Sequence, residues 1–258
     1  MKIVVLVKRV PDTASAFEVN EAGTGVSTER LKYIMSPYDE HAVQEAVNVK
    51  AAAGGEVVVI SLGGAETSEI LRTALAMGAD SAVLVTGEGV ESLGSRGVAE
   101  ALAAAIKEQA PDLVFAGKQA VDDDASQVPE RIAEILGWSH ASVITRFSLN
   151  GSVANVDREV EGGQLTLDVP LPAIFTAQKG INKPEYPKLP NIMKAKKKPL
   201  AEKSLADLGL NAADLASKVA VASMSLPRQE RLAKLIDGEP GAQVAELIRI
   251  LKEDEKAL

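Results

Sequence analysis

Over residues 1–140, short and nearly continuous apolar runs alternate with longer amphipathic ones. The apolar runs are Ile3–Val7, Glu56–Ser61, Ser81–Thr86 and Asp112–Ala116, each rich in Val, Ile or Leu. Such runs fit strands covered on both faces. Between them, Asp39–Ala53 places Ala42, Val43, Ala46, Val47 and Val49 at roughly helical spacing, and Thr67–Met77 and Gly97–Gln109 do the same. Gly54-Gly55 and Gly78 stand where helices stop. This alternation predicts an α/β fold, a mostly parallel sheet with helices on both faces.

After residue 140 the pattern changes. Ser142–Leu149, Val153–Glu159 and Gln164–Val169 read as strands, joined by Asn150-Gly151 and by Glu161-Gly162-Gly163. Asn-Gly is a strong two-residue hairpin signal, so a small antiparallel extension is expected on the parallel sheet. Ala173–Thr176 reads as one more strand. Residues 182–200 hold Pro184, Pro187, Pro190 and Pro199 with Lys188, Lys194, Lys196, Lys197 and Lys198. That composition predicts a long exposed segment without a regular core element. The remainder, 201–258, has helix-like runs at Ser204–Leu208 and Ala242–Lys252 and few aromatics. The expected organisation is an α/β domain over 1–200 and a C-terminal arm over 201–258.

The richest local chemistry lies between the fourth apolar run and the amphipathic run Ile132–Leu136. There the chain reads Gly117, Lys118, Gln119, Ala120, Val121, Asp122, Asp123, Asp124, Ala125, Ser126, Gln127, Val128. Strand, loop and helix start follow in that order, with Asp124 or Ser126 as candidate N-cap. A helix start offers unpaired N–H groups and partial positive charge, which suit a phosphate. A loop at the carboxyl end of a sheet strand is also where open α/β folds place ligands. A solvated acidic loop with a capped helix explains the same residues. The loop matches neither a P-loop nor a Gly-x-Gly-x-x-Gly turn.

Composition narrows the classes. The chain has 258 residues, 46% of them hydrophobic, and a net charge of −8. That acidity speaks against a nucleic-acid partner. There are no cysteines, so disulfides, thiol catalysis and Cys-ligated metal centres are excluded. His41 and His140 are too few for a His-rich metal site, and no acid–base constellation surrounds them in sequence. No apolar run approaches the roughly 20 residues of a membrane span. Residues 1–8 read as a strand and not as a signal peptide. The expected compartment is the cytoplasm, or a mitochondrial matrix if a transit peptide has been removed.

Six segments in order carry a family resemblance: Val7-Lys8-Arg9-Val10-Pro11-Asp12, Pro37-Tyr38-Asp39, Arg72 to Asp80, the Gly117–Gln127 loop, Arg158 to Gly163, and Leu189 to Lys197. Together they make the chain resemble the beta subunit of the electron transfer flavoprotein family over nearly its whole length. The resemblance implies an adenine-nucleotide-binding α/β domain with no catalytic chemistry of its own. It also implies a heterodimer in which an alpha subunit holds most of the FAD site and the arm 201–258 packs on that subunit. A structural AMP is implied against Leu6, Ser36, Pro37, Tyr38, Asp39, Leu62 and the Gly117–Val128 loop, with its phosphate on the N–H groups of Ser126, Gln127 and Val128. Three aspartates cannot all face a phosphate, so some are expected to cap backbone groups or reach the ribose.

By the same resemblance Tyr38 and Thr13 reach the flavin held by the alpha subunit, and Glu159 pairs with that subunit. The 186–198 segment is implied to dock acyl-CoA and related dehydrogenases of fatty-acid oxidation through Leu189, with Pro190, Ile192 and Met193 around it. Electrons would then pass towards a quinone oxidoreductase, with no membrane insertion by this chain. The acidic loop reads Asp122-Asp123-Asp124, where electron-bifurcating members with a second FAD typically read Asp-Gly-Asp. A bifurcating member is therefore one alternative. An adenylating enzyme or an AMP-sensing module is another, although the first requires a Gly-rich pyrophosphate loop where this chain has Lys8 to Asp12.

Overall fold

The computed structural model describes residues 1–227 and 233–258. Strand β1 (Lys2–Leu6) pairs in parallel with β4 (Glu56–Leu62) on one side and β6 (Leu113–Gly117) on the other. From β4 the parallel sheet continues to β5 (Ser81–Val85) and then to β11 (Leu200–Lys203) at one edge. From β6 it continues through β10 (Ala173–Ala177) to β7 (Ser139–Asn150), also in parallel. Strands β8 (Val153–Val160) and β9 (Gly163–Pro170) add the antiparallel extension to β7. A separate two-stranded ribbon joins β2 (Arg9–Pro11) to β3 (Tyr33–Met35).

The parallel strands are buried on both sides, which explains their unbroken apolar character. Helices α1 (Pro37–Ala53) and α2 (Ser68–Met77) pack with one set of strand side chains. Helices α3 (Ser95–Gln109) and α4 (Val128–Leu136) pack with the other set. Both starts of the chemistry-bearing helices use proline near the first turn, at Pro37 and Pro129. There the missing N–H has no intrahelical partner to lose.

The antiparallel extension curls onto the α1 side. Val143 takes φ 61°, and the β7 register shifts between Ile144 and Arg146. A β-branched residue in the left-handed region is strained. Its N–H is held by Thr176 Oγ1 at 2.8 Å. The bend lets Phe147 reach Phe115 and Phe175, with ring centroids 5.0 and 5.1 Å away and near-perpendicular planes. Such edge-to-face pairs add to the burial of the rings. The outward side of the same extension is polar. There Arg146 forks onto Asp157, and Asn155 links Arg146 to Asp168.

Three sequence expectations change. The proline- and lysine-rich segment contains a helix after all, α5 (Leu189–Ala195), because Pro190 sits in its first turn where proline is tolerated. The run Ser204–Leu208 forms turns, not a helix: Asp207 accepts from the Ser204 N–H and hydroxyl, and Gly209 takes φ 72°. The strand expected over Ser142–Leu149 starts earlier, since β7 begins at Ser139 and includes His140.

The body also continues past residue 200. β11 joins the sheet, and Leu205 and Leu215, the latter in α6 (Ala212–Leu215), are buried in the α3 side of the core. Beyond Ser217 the described residues are mostly exposed, including α7 (Pro240–Arg249). Residues 228–232 of the expected arm lie outside the described residues.

Phe175 is fully buried at the centre of the aromatic group. Phe175→Ala removes a large core side chain and should lower unfolding free energy by about 3–5 kcal/mol. Urea denaturation of wild type and variant checks this.

Candidate functional site

Three strands end at one crevice on the α3 and α4 side. Leu6 closes β1, Leu62 closes β4 and Gly117 closes β6, and all three line a cavity of about 360 Å³. That volume falls in the roughly 300–1,000 Å³ range of small-molecule sites. Its inner wall is apolar: Leu6, Leu62, Val90, Leu93, Val98 and Leu102. Its outer wall is the acidic loop and the start of α4, from Lys118 to Pro129.

The loop is tightly built. Asp124 and Ser126, neither of them glycine, take φ 47° and 49°. Left-handed non-glycine residues cost about 1–3 kcal/mol each and cluster at ligand sites. Asp124 donates its N–H to Ala120 at 3.0 Å, and its carboxylate accepts from Gln119 Nε2. Asp123 accepts from the Ala125 N–H at 3.1 Å. Lys8, the second residue past β1, places Nζ 2.9 Å from Asp122 and 3.1 Å from Asp123. Burial pulls the Lys8 pKa down, but its bonds and charge pairing with the two aspartates outweigh this and raise it above the ordinary lysine value. The expectation that some aspartates serve the backbone is met by Asp123, and Lys8 offsets one of the two charges of Asp122 and Asp123.

The N-cap expectation is corrected. Neither Asp124 nor Ser126 caps α4; Gln127 holds that position and makes no side-chain cap bond. The left-handed turn carries both residues away from the cap geometry. As a result the N–H groups of Ser126, Gln127 and Val128 find no acceptor among the described residues. Their residues line the cavity. They form a helix N-terminus with its donors free, at one end of an apolar pocket.

Asp39 forms the floor. It is buried, and its two carboxylate oxygens accept the Lys8 N–H at 2.7 Å and the Gly117 N–H at 3.0 Å. Gly117 has no room for a side chain there: an added Cβ would stand 2.7 Å from Tyr38 Cβ and would also strike Asp39. Burial pushes the Asp39 pKa up to about 7, against the pull of the two N–H bonds and of Lys8.

Of the residues expected at the nucleotide, Leu6, Asp39, Leu62, Gly117, Lys118, Gln119, Ala120, Asp123, Ala125, Ser126, Gln127 and Val128 line the cavity. Ser36, Pro37, Tyr38, Val121, Asp122 and Asp124 stand beside it. Ser36 is wholly buried at the start of α1, and its hydroxyl has no partner. Tyr38 is half-buried with Lys118 Nζ 5.1 Å above its ring. Thr13 is exposed in the turn after β2, and Glu159 is exposed on β8. Leu189, Ile192 and Met193 are exposed on α5, as is Pro190. The sequence reading missed Lys8, Gly63 and the wall of Val90, Leu93, Val98 and Leu102. Lys8 was legible as the residue that follows a strand at its carboxyl end. The α3 wall carried no local signal.

Among the described residues, no group of three or more His, Cys, Asp or Glu side chains is placed to hold a metal ion. None of the described helices is long and apolar enough to cross a membrane. His41 Nδ1 sits 3.1 Å from Asn182 Oδ1, a structural contact between α1 and the segment before α5.

The family model described as "Electron transfer flavoprotein domain" matches residues 24–208. The "Electron transfer flavoprotein subunit beta" of Bacillus subtilis (strain 168) is 38% identical over 259 residues, covering 100% of both chains. That of Bradyrhizobium diazoefficiens is 42% identical over 260 residues, again covering 100% of both. That of Mus musculus is 42% identical over 232 residues, covering 89% of this chain and 90% of its own.

An acid whose pKa is raised on folding favours the folded state most below its unfolded pKa, where it is protonated in both states. For Asp39 this contribution is lost across the window from the ordinary 3.8 up to about 7. The folded state then binds more protons than the unfolded one, so this contribution falls as pH rises through the window and is flat above it. The stability of wild type relative to Asp39→Asn should therefore fall from pH 4 to pH 7 and stay constant above pH 8. Urea midpoints measured across that range check the slope.

Proposed function

This chain belongs to the electron transfer flavoprotein family as a beta subunit, and we propose that it binds a structural AMP, completes the FAD site of an alpha subunit and docks dehydrogenases. The observation that carries the AMP reading is the cavity itself. An apolar wall that suits a base faces free N–H donors at a helix start, which suit a phosphate. Ser126, Gln127 and Val128 donate to the phosphate. Lys8 pairs with Asp122 and Asp123 and offsets one of their two charges, which lessens the loop's repulsion of a phosphate. Asp39 holds Gly117 and Lys8 in place below it.

FAD supplies the redox chemistry of the heterodimer when bound. On this chain Tyr38 and Thr13 form the edge that meets it, Tyr38 through its half-exposed ring. Glu159, exposed on the extension, pairs with the alpha subunit. The arm beyond Ser217 packs on that subunit as well. Val219, Leu226, Leu247 and Ile248 are exposed along it, more apolar surface than a free tail carries without a partner. This chain itself performs no bond-making step and acts as part of an electron carrier.

Helix α5 is the docking surface for dehydrogenases. Leu189 is 70% exposed and Met193 65% exposed, with Pro190 and Ile192 beside them. Lys188, Lys194, Lys196 and Lys197 surround this patch. An apolar anchor inside a basic rim fits a partner with an apolar pocket and an acidic border. Electrons received there pass on towards a quinone oxidoreductase.

The test is the nucleotide content of the heterodimer, released by denaturation and separated by chromatography. One AMP and one FAD per dimer are expected. Two FAD and no AMP would mean the bifurcating alternative, and no AMP in a FAD-loaded dimer would remove the nucleotide assignment of the cavity.

A further inference from the structure

The α5 segment is fastened to the body at both ends by side chains distant in sequence. Arg72, on α2, donates Nη1 to the carbonyl of Ala195 at 2.8 Å and to that of Lys198 at 2.7 Å. Ala195 closes α5 and is buried. In return Lys198 sends Nζ to the end of α2, donating to the Leu75 carbonyl at 2.9 Å and to that of Ala79. Each element thus places a cation on the other's carbonyl end, where a helix carries partial negative charge. At the leading end, Asn182 donates Nδ2 to the His41 carbonyl at 3.0 Å and to Glu45 at 2.8 Å. The Glu185 N–H donates to Gln44 on α1 at 2.9 Å.

Between these fastenings the apolar side chains Leu189, Ile192 and Met193 point away from the body. A helix of 7 residues does not hold its own shape or direction. Its direction is imposed from outside, chiefly by the exchange of Arg72 and Lys198.

We infer that Arg72 and Lys198 are positioning residues for partner docking. They touch neither nucleotide nor partner, and they hold α5 so that its apolar face meets a dehydrogenase already ordered. Pre-ordering a docking element removes part of the entropy that binding would otherwise cost. This inference rests on the docking role proposed above for α5.

The experiment uses the FAD-loaded heterodimer and an acyl-CoA dehydrogenase reduced by its substrate. KM for the dehydrogenase, kcat and FAD content are read for wild type, Arg72→Met, Arg72→Lys and Leu189→Ala. Arg72→Met is expected to raise KM about tenfold at unchanged kcat and FAD content. Arg72→Lys should recover part of the loss, since an ammonium reaches fewer carbonyls than a guanidinium fork. Leu189→Ala should raise KM as well, and the Arg72→Met, Leu189→Ala double variant should be less than additive. A wild-type KM for Arg72→Met beside a raised KM for Leu189→Ala would overturn the positioning role and leave docking standing. A wild-type KM for Leu189→Ala would overturn the docking reading and the inference with it. If Arg72→Met does not assemble, Lys198→Met breaks the opposite half of the exchange, and the same KM criterion decides.

Discussion

The buried carboxylate of Asp39 ties the ends of two parallel strands to the start of a helix. Its oxygens take the N–H of Lys8, just past β1, and the N–H of Gly117, the last residue of β6. Both N–H groups lie beyond the reach of a neighbouring strand's carbonyls and would otherwise be buried without partners. The same contact sets where α1 begins and where the acidic loop leaves the sheet. Gly117 must be glycine because Asp39 and Tyr38 occupy the space a side chain would need. Lys8, held at its backbone by Asp39, then has its ammonium free to reach Asp122 and Asp123.

From that point the two faces of the sheet divide the work. On the α3 and α4 face the strand ends open into an apolar crevice with free donors along one rim. On the α1 and α2 face they are closed by helices, and the bent extension seals the core with the Phe115, Phe147 and Phe175 group. α1 also anchors the segment leading to α5, while α2 anchors its end. A single layer of helices therefore links the floor of the cavity to the surface proposed for partners. The link is mechanical, through packed helices and paired carbonyls.

Much of the fold was legible in the chain. The strand runs at Ile3, Glu56, Ser81 and Asp112 were continuous because both faces are covered, and the Asn150-Gly151 turn marked the extension. The loop from Gly117 to Val128 was legible as a strand-to-helix connection with unpaired donors. Less was legible where long-range contacts decide conformation. The lysines and prolines of 182–200 concealed α5, because a helix so short is held by Arg72 and Lys198 and not by its own propensity. The N-cap of α4 was misread because Asp124 and Ser126 turn left-handed under restraints from Gln119 and Ala120.

The sequence by itself determined the alternation of elements, the two-sided burial of the sheet, the antiparallel addition and the family, since each is written in local period, turn chemistry or residue order. Only the tertiary structure decided that Leu6, Leu62 and Gly117 close on one cavity, that α3 supplies its wall, and that Lys8 pairs with the acidic loop. It also decided which way α5 faces. Those outcomes depend on strand order and on contacts between residues 31 to 126 positions apart, for which local pattern holds no information.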